Sequence, residues 1–354
     1  MSIQQLKEAL GSMHAAALIF SEENGFYFTG FHSTNAVIFA TGNSAVYFTD
    51  SRYLEAAKQQ IKGFDDVCDL QNFSQSVKPV IDKCGDKTIL VEGERLSVSR
   101  FETVKKCLPD YSLSADKLDD IINNIRAVKS NAEVENIVRA QRIAEQALDL
   151  LRPEIKVGAV EKDLALTLDF TMRRLGAEDV SFETILISGK ETSKPHGVPS
   201  EKQIARGDFV TIDFGALYHG YHSDMTRTFA VGEVSGEMAK IYDTVLQAQL
   251  AGLAALAPGK VCKEIDAVSR KLIADAGYGE RFGHGLGHSV GVEIHEFPYL
   301  NPRCDAKLQI GNVVTVEPGI YIPDFCGVRI EDMALITENG YRNLAEYPKE
   351  LIIL

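Results

Sequence analysis

The chain has 354 residues, 45% apolar and 25% charged, enough for a real hydrophobic core and inconsistent with a mainly disordered state. Lysine and arginine total 37 against 50 acids, a formal charge of −13, so no basic surplus exists to neutralise nucleic-acid phosphates or an anionic membrane.

Along the chain, β-type runs recur at Ala16 to Phe20, Phe26 to Thr29, Ala36 to Thr41, Ala45 to Thr49 and Thr88 to Glu92. Gly42-Asn43 between two of them predicts a hairpin turn, and Val98 to Leu108 carries a helical pattern. Residues 1–125 are therefore expected to form a small mixed α/β domain. At Ser130 the character changes: Glu133 completes a capping box, and apolar residues at helical spacing predict a helix as far as Leu151. A second domain is expected over 126–354, which gives an α/β (α+β) chain. The first twenty residues lack the basic end and unbroken apolar stretch of a signal peptide, and no window reaches the ~20 apolar residues of a spanning helix. Six scattered cysteines form no C-x-x-C pair, so a cytoplasmic protein with reduced thiols is expected.

The second part contains an internal duplication. Lys156-Val157-Gly158 recurs as Lys260-Val261-Cys262, an offset of 104 (260 − 156), and the same offset maps the segment Gly207 to Gly215 onto Gly311 to Gly319. Helical patterns at Leu164 to Leu175 and Ile265 to Ala276 lie between, so each half reads helix, linker, β-hairpin. Two such units facing each other would form a cleft, with Asp213 of one copy and Glu317 of the other turned into it.

Strand alternation places Thr211 and Asp213 on one face, and Asp224, Thr226 and Thr228 on one face of the next run. A hairpin turning at Tyr218-His219 would oppose Asp213 and Asp224, with β-carbons roughly 5 Å apart. The second copy offers Glu317 and Glu331 around Pro323-Asp324. Four carboxylates converging on a cleft repel unless cations lie between them, and their charge matches two divalent ions sharing a bridging water or hydroxide.

His284 and His288 are four apart, but the interleaved glycines argue for an extended segment instead of a helix. One imidazole beside carboxylates suits manganese, cobalt, iron or zinc better than calcium. His196 and His295 are candidates for proton or hydrogen-bond work outside the ligand set. Arg329 could orient a ligand carboxylate or balance charge.

The segments KPHGVPS, GDFVTIDFGALYHGYHSDMTRTF, GHGLGHSVGVEIHE, VVTVEPGIYI and GVRIED, with YFTGF and TDSRY nearer the N-terminus, resemble the Xaa-Pro metallopeptidases, aminopeptidase P and prolidase. The resemblance implies a creatinase-type N-terminal domain and a duplicated "pita-bread" catalytic domain. It implies metal ligands Asp213, Asp224, His288, Glu317 and Glu331, with Asp224 and Glu331 bridging two divalent ions, manganese first and cobalt or zinc as alternatives. A metal-bridging hydroxide would attack the scissile carbonyl, with Glu317 handling the proton and His196 and His295 steadying the intermediate. His284 would line the pocket, and Thr226 would support a ligand. Ser289, where relatives commonly have glycine, would narrow the pocket slightly.

The expected activity is a peptidase cleaving before a proline at the second position of a peptide, acting as a homodimer. Xaa-Pro dipeptidase with the same metal centre is the alternative. A creatinase-like C–N hydrolase is disfavoured because that branch has lost ligand residues, whereas all five positions are filled here. A methionine aminopeptidase lacks the additional N-terminal domain, and a non-catalytic binding protein would not need the intact ligand set.

Overall fold

Alternating apolar side chains build the sheet in the first part of the chain. In the computed structural model, which describes residues 2–354, the chain divides into one unit ending at Arg126 and another spanning Ala127–Leu354. The first unit holds a six-stranded sheet in the order Asp66–Asp69, Ala45–Thr49, Ala36–Ala40, Ala16–Ile19, Thr88–Val91, Ser112–Ser114. Leu18, Val37, Phe39 and Phe48 pack on one face, and Ala17, Ile19, Ile38 and Tyr47 on the other, so both faces are covered. Gly42 and Asn43 form the tip of the expected hairpin, whose register pairs Ala40 with Ala45, and the expected helix is Val98–Cys107.

One expected strand is instead helical. Phe26 to Thr29 is the last turn of the helix Glu22–Thr29. Its aromatic residues favour a strand, but Glu22 and Glu23 in the first turn and Gly30 in the left-handed conformation, φ 67°, are helix-end signals that outweigh them. Buried Glu92 accepts the Phe20 and Ser21 N–H groups and the Asn24 side-chain amide, which anchors the helix start.

The second unit begins with the capping box read from the sequence. The Ser130 N–H donates to the Glu133 carboxylate at 2.8 Å, and the Glu133 N–H returns to Ser130 Oγ. The helix that follows, Asn131–Leu151, buries Ile137, Ala140, Ala144 and Leu148.

The duplication is visible in the fold, with one correction. Helices Glu161–Arg174 and Cys262–Asp275 each follow a valine, Val160 and Val261, that bridges to Gln203 and Lys307 respectively. The valines are 101 apart (261 − 160) and their partners 104 apart (307 − 203), so the second copy has three more residues between helix and hairpin. The alignment of Lys156-Val157-Gly158 with Lys260-Val261-Cys262 is therefore three residues out of step. The offset of 104 holds from the strands' approach onward: Gly207 and Gly311 are both left-handed, φ 87° and 90°, and Asp208 and Asn312 accept the N–H groups of Ala205 and Gln309.

The register of the first hairpin also differs from expectation. Phe209–Phe214 pairs with Met225–Ala230 so that Asp213 faces Thr226, and Asp224 lies one pleat further along. The turn is at His219-Gly220, both with positive φ (48° and 74°), instead of Tyr218-His219. A two-residue turn of this hand needs two left-handed residues, and Gly220 adopts that conformation without steric cost. The shift is two residues, so the acids keep their face. In the second copy Val316 pairs with Asp332 and Gly319 with Arg329, which sets Glu317 directly opposite Glu331. Behind the hairpins, Val210, Ile212 and Phe214 pack with Leu164 and Leu168, while Val314 and Val316 pack with Val245 and Ile265. Among the described residues no helix is long and apolar enough to cross a membrane.

Candidate metal centre

Strand pleat and strand pairing bring the acids together. The Thr226 hydroxyl donates to Glu331 at 2.7 Å and the Thr228 hydroxyl to the Arg329 carbonyl at 3.0 Å, stitching the two hairpins side by side. His288 stands on the short strand Gly287–Ser289, which pairs through Ser289 with Val314. The segment is extended, as its glycines predict. Gly287 is required there because a Cβ would lie 2.0 Å from the Thr315 carbonyl oxygen.

One ligand-type atom from each of Asp224, His288 and Glu331 lies within 4.8 Å of the others. His288 Nε2 is 3.6 Å from Asp224 Oδ2 and 3.3 Å from Glu317 Oε1. Asp213 accepts from the Arg329 guanidinium at 2.6 Å through Oδ2, while its Oδ1 is buried without a hydrogen-bond partner. Oxygen-rich ligands with one imidazole suit a divalent transition ion, and the orphaned Oδ1 is the atom such an ion would satisfy. The residues present fit the implied metal.

The electrostatics agree. Burial raises Asp213, Asp224 and Glu331, and the neighbouring carboxylates add to the rise, so Asp224 and Glu331 stand well above the usual carboxylate range. Burial pushes His288 down, but the adjoining Glu317 and Asp224 overcome it and hold the imidazole at about 9. Burial likewise raises Glu317, and the His288 contact reverses this to about 2. The site thus stores protons that a cation would displace.

A cavity of about 1100 Å³ opens over these groups and is lined by His196, Asp213, Asp224, His284, His288, His295, Glu317, Arg329 and Glu331. Every residue singled out from the sequence as a ligand or substrate contact reaches it. His196 and His295 are exposed to it, and the His295 ring stands edge-on to His288 with centroids 4.4 Å apart. Burial lowers His284 and His295, so both are neutral near pH 7.

Arg329 lines the cavity, and its Nε donates to Thr226, its Nη1 to Pro195 O and Tyr321, and its Nη2 to Asp213, so it both orients and charge-balances that carboxylate. One expectation needs correction. Ser289 does not narrow the cavity: it is fully buried, its hydroxyl donates to Val313 O at 2.8 Å and accepts from Lys129 at 2.9 Å. Sequence reading missed Tyr321, whose hydroxyl accepts from Arg329 at 2.9 Å and lies 3.0 Å from His284 Nε2. Alternation from Glu317 through Gly319 to Tyr321 is the signal that could have found it.

Residues 135–338 match the model of metallopeptidase family M24, and residues 3–128 match the creatinase/prolidase N-terminal domain. The chain is 38% identical over 337 residues to the Xaa-Pro dipeptidase of Pyrococcus furiosus, covering 93% of this chain and 92% of that one. Among solved structures, the Xaa-Pro dipeptidase from Bacillus anthracis superposes with a TM-score of 0.95 at 38% identity, covering 100% of this chain and 99% of that one. The X-Pro aminopeptidase from Thermotoga maritima gives 0.91 at 36% identity, covering 99% and 100%.

Proposed function

We propose that this chain, which belongs to metallopeptidase family M24, hydrolyses the bond before a proline at the second position of a peptide, with Asp213, Asp224, His288, Glu317 and Glu331 as its metal ligands. The observation that carries the proposal is the convergence of these five side chains on one cavity, with three of their ligand atoms already within 4.8 Å. Asp213 would serve one ion and His288 with Glu317 the other, while Asp224 and Glu331 would be shared. Two divalent ions, manganese first and cobalt or zinc as alternatives, would supply a water activated by a pKa lowered to about 7 and would polarise the scissile carbonyl.

The remaining work falls to the protein. Glu317, ionised at neutral pH, accepts the proton of the attacking water and returns it to the departing proline nitrogen. His196 and His295, exposed to the cavity, donate N–H groups to the developing oxyanion. His284, held by Tyr321 and the Gly285 carbonyl, lines the pocket, and burial favours its neutral form. Arg329 keeps Asp213 oriented. The acidic site attracts the substrate's free amino terminus.

The residue ranges 1–125 and 126–354 are read as the creatinase-type and catalytic domains. A homodimer is read from the likeness of the first to the N-terminal domain of Xaa-Pro peptidases. Six unpaired thiols support a cytoplasmic location.

Xaa-Pro dipeptidase is the second reading, favoured by the names of the relatives. Equal amounts of Ala-Pro and Ala-Pro-Ala incubated with Mn(II) and followed by mass spectrometry separate the two. Loss of alanine from the tripeptide at a rate matching or exceeding the dipeptide's supports the aminopeptidase. Consumption of the dipeptide alone establishes the dipeptidase, and consumption of neither overturns both.

A further inference from the structure

Lys129 is a buried cation beside the strand that carries His288. Lys129 has a side chain only 1% exposed, and its ammonium donates to Ser289 Oγ at 2.9 Å and to Glu296 Oε2 at 3.0 Å. Ser289 follows His288 in sequence, and Glu296 follows His295. The two contacted residues are also cross-strand partners, Ser289 opposite Glu296, and the register shifts between His288 and Ser289. His288 and Ser289 are neighbours on one extended strand and point to opposite faces, while Glu296 opens the facing strand directly after the cavity-exposed His295, so the ammonium holds the residue next to each histidine. A bulge re-aims side chains and leaves the ladder locally unpaired, so the ammonium closes the strand pair where its own hydrogen bonds are weakest.

Both ends of this clamp are fixed. The Lys129 N–H donates to Gly311 O at 2.9 Å, the Asn312 amide donates to Ala127 O at 2.9 Å, and the capped helix begins at the next residue. On the other side, Glu296 Oε1 accepts the Glu293 N–H at 3.1 Å, closing the loop that carries His295. Gly291 must be glycine for this, since a Cβ there would lie 2.5 Å from Glu296 Oε2.

We propose that Lys129 is a positioning residue that fixes His288 and His295 relative to one another, through Ser289 and Glu296, while touching neither substrate nor metal. The proposal rests on the reading above of His288 as a ligand and His295 as an oxyanion donor. It assigns the serine at position 289 a role, as the second acceptor of the clamp.

Lys129→Met removes the ammonium and leaves the buried Glu296 carboxylate without that counter-ion, which costs stability by itself. Lys129→Met/Glu296→Gln removes both charges and is the informative variant. Mn(II) affinity is read by calorimetry on the chelated protein, and the histidine ring ¹⁵N signals are read without metal. Turnover of Ala-Pro is measured at saturating Mn(II). The folded double variant is expected to bind Mn(II) about ten- to a hundredfold more weakly, to shift the ring signals of both histidines, and to lose kcat to a similar extent with KM little changed. A folded double variant with wild-type Mn(II) affinity, ring signals and kcat overturns the proposal and leaves Lys129 a purely structural cation. If the wild-type protein turns over no Xaa-Pro peptide, the activity reading fails, and the affinity and ring signals still decide the role of Lys129.

Discussion

At the residue scale, protons and metal ions compete for the same buried atoms. Asp224 and Glu331 are held well above the ordinary carboxylate range, chiefly by burial, and His288 is held at about 9 against the pull of burial. Metal binding must therefore release protons, and affinity should rise with pH across the neutral range. Calorimetry of Mn(II) binding in buffers of different ionisation enthalpy checks this; identical heats in all buffers would contradict it. The metal-free protein should behave in the opposite way. His288, raised above its unfolded value, stabilises the fold fully below pH 6.5 and loses that contribution as pH climbs through about 9. Carboxyls raised in the fold lose their protons more readily when unfolded, so they too favour unfolding as pH rises above the ordinary carboxylate range. Thermal melts of chelated protein should fall from pH 7 to pH 10, and saturating Mn(II) should flatten the trend. His295→Ala should lower kcat about 10²–10³-fold if its N–H meets the oxyanion. An unchanged kcat would remove it from the mechanism.

At the element scale, two hairpins and one short strand hold the five candidate metal ligands, and their tightness is testable at Gly287. An alanine there would place its Cβ 2.0 Å from the Thr315 carbonyl oxygen, forcing apart the strands that carry His288 and Glu317. Gly287→Ala should cost about 1–3 kcal/mol in denaturant unfolding and weaken metal binding; wild-type stability would show that the strand yields without penalty. Most of this architecture is legible in the sequence, because pleat alternation marks Asp213, Thr226 and Glu317 and a capping box marks the start of the long helix at Ser130. What fails is register. The turn residue Gly220 moves the first hairpin by two positions, so the directly opposed acids are Glu317 and Glu331 instead of Asp213 and Asp224. Local chemistry at a single turn decided this, and alternation cannot detect an even shift. Phe26 to Thr29 failed for a different reason, since aromatic propensity was overruled by helix-end residues and by Glu92 from a distant strand. Tyr321 was missed although alternation from Glu317 marks its face, and Lys129 was missed because its partners Ser289 and Glu296 lie 160 and 167 residues away.

At the scale of the whole molecule, the duplicated unit makes the cleft and a buried ionic network backs it. Arg227, 2% exposed, donates to the Glu331 carbonyl at 2.6 Å and to Asp332 at 2.7 Å, and Lys349 of the C-terminal segment reaches Asp332 at 2.6 Å. Asp332→Asn takes the counter-charge from buried Arg227 and from part-buried Lys349. It should cost about 3–5 kcal/mol in denaturant unfolding, and a loss below 1 kcal/mol would mean the network adds little. Activity should depend on metal held by the acids of the two hairpins. The most direct test is to strip the protein with EDTA, titrate Mn(II) back while counting bound ions, and follow Ala-Pro cleavage at each step. The expected result is an inactive metal-free protein whose activity returns as two ions per chain are bound. A metal-free sample that cleaves Ala-Pro at the undiminished rate would contradict it.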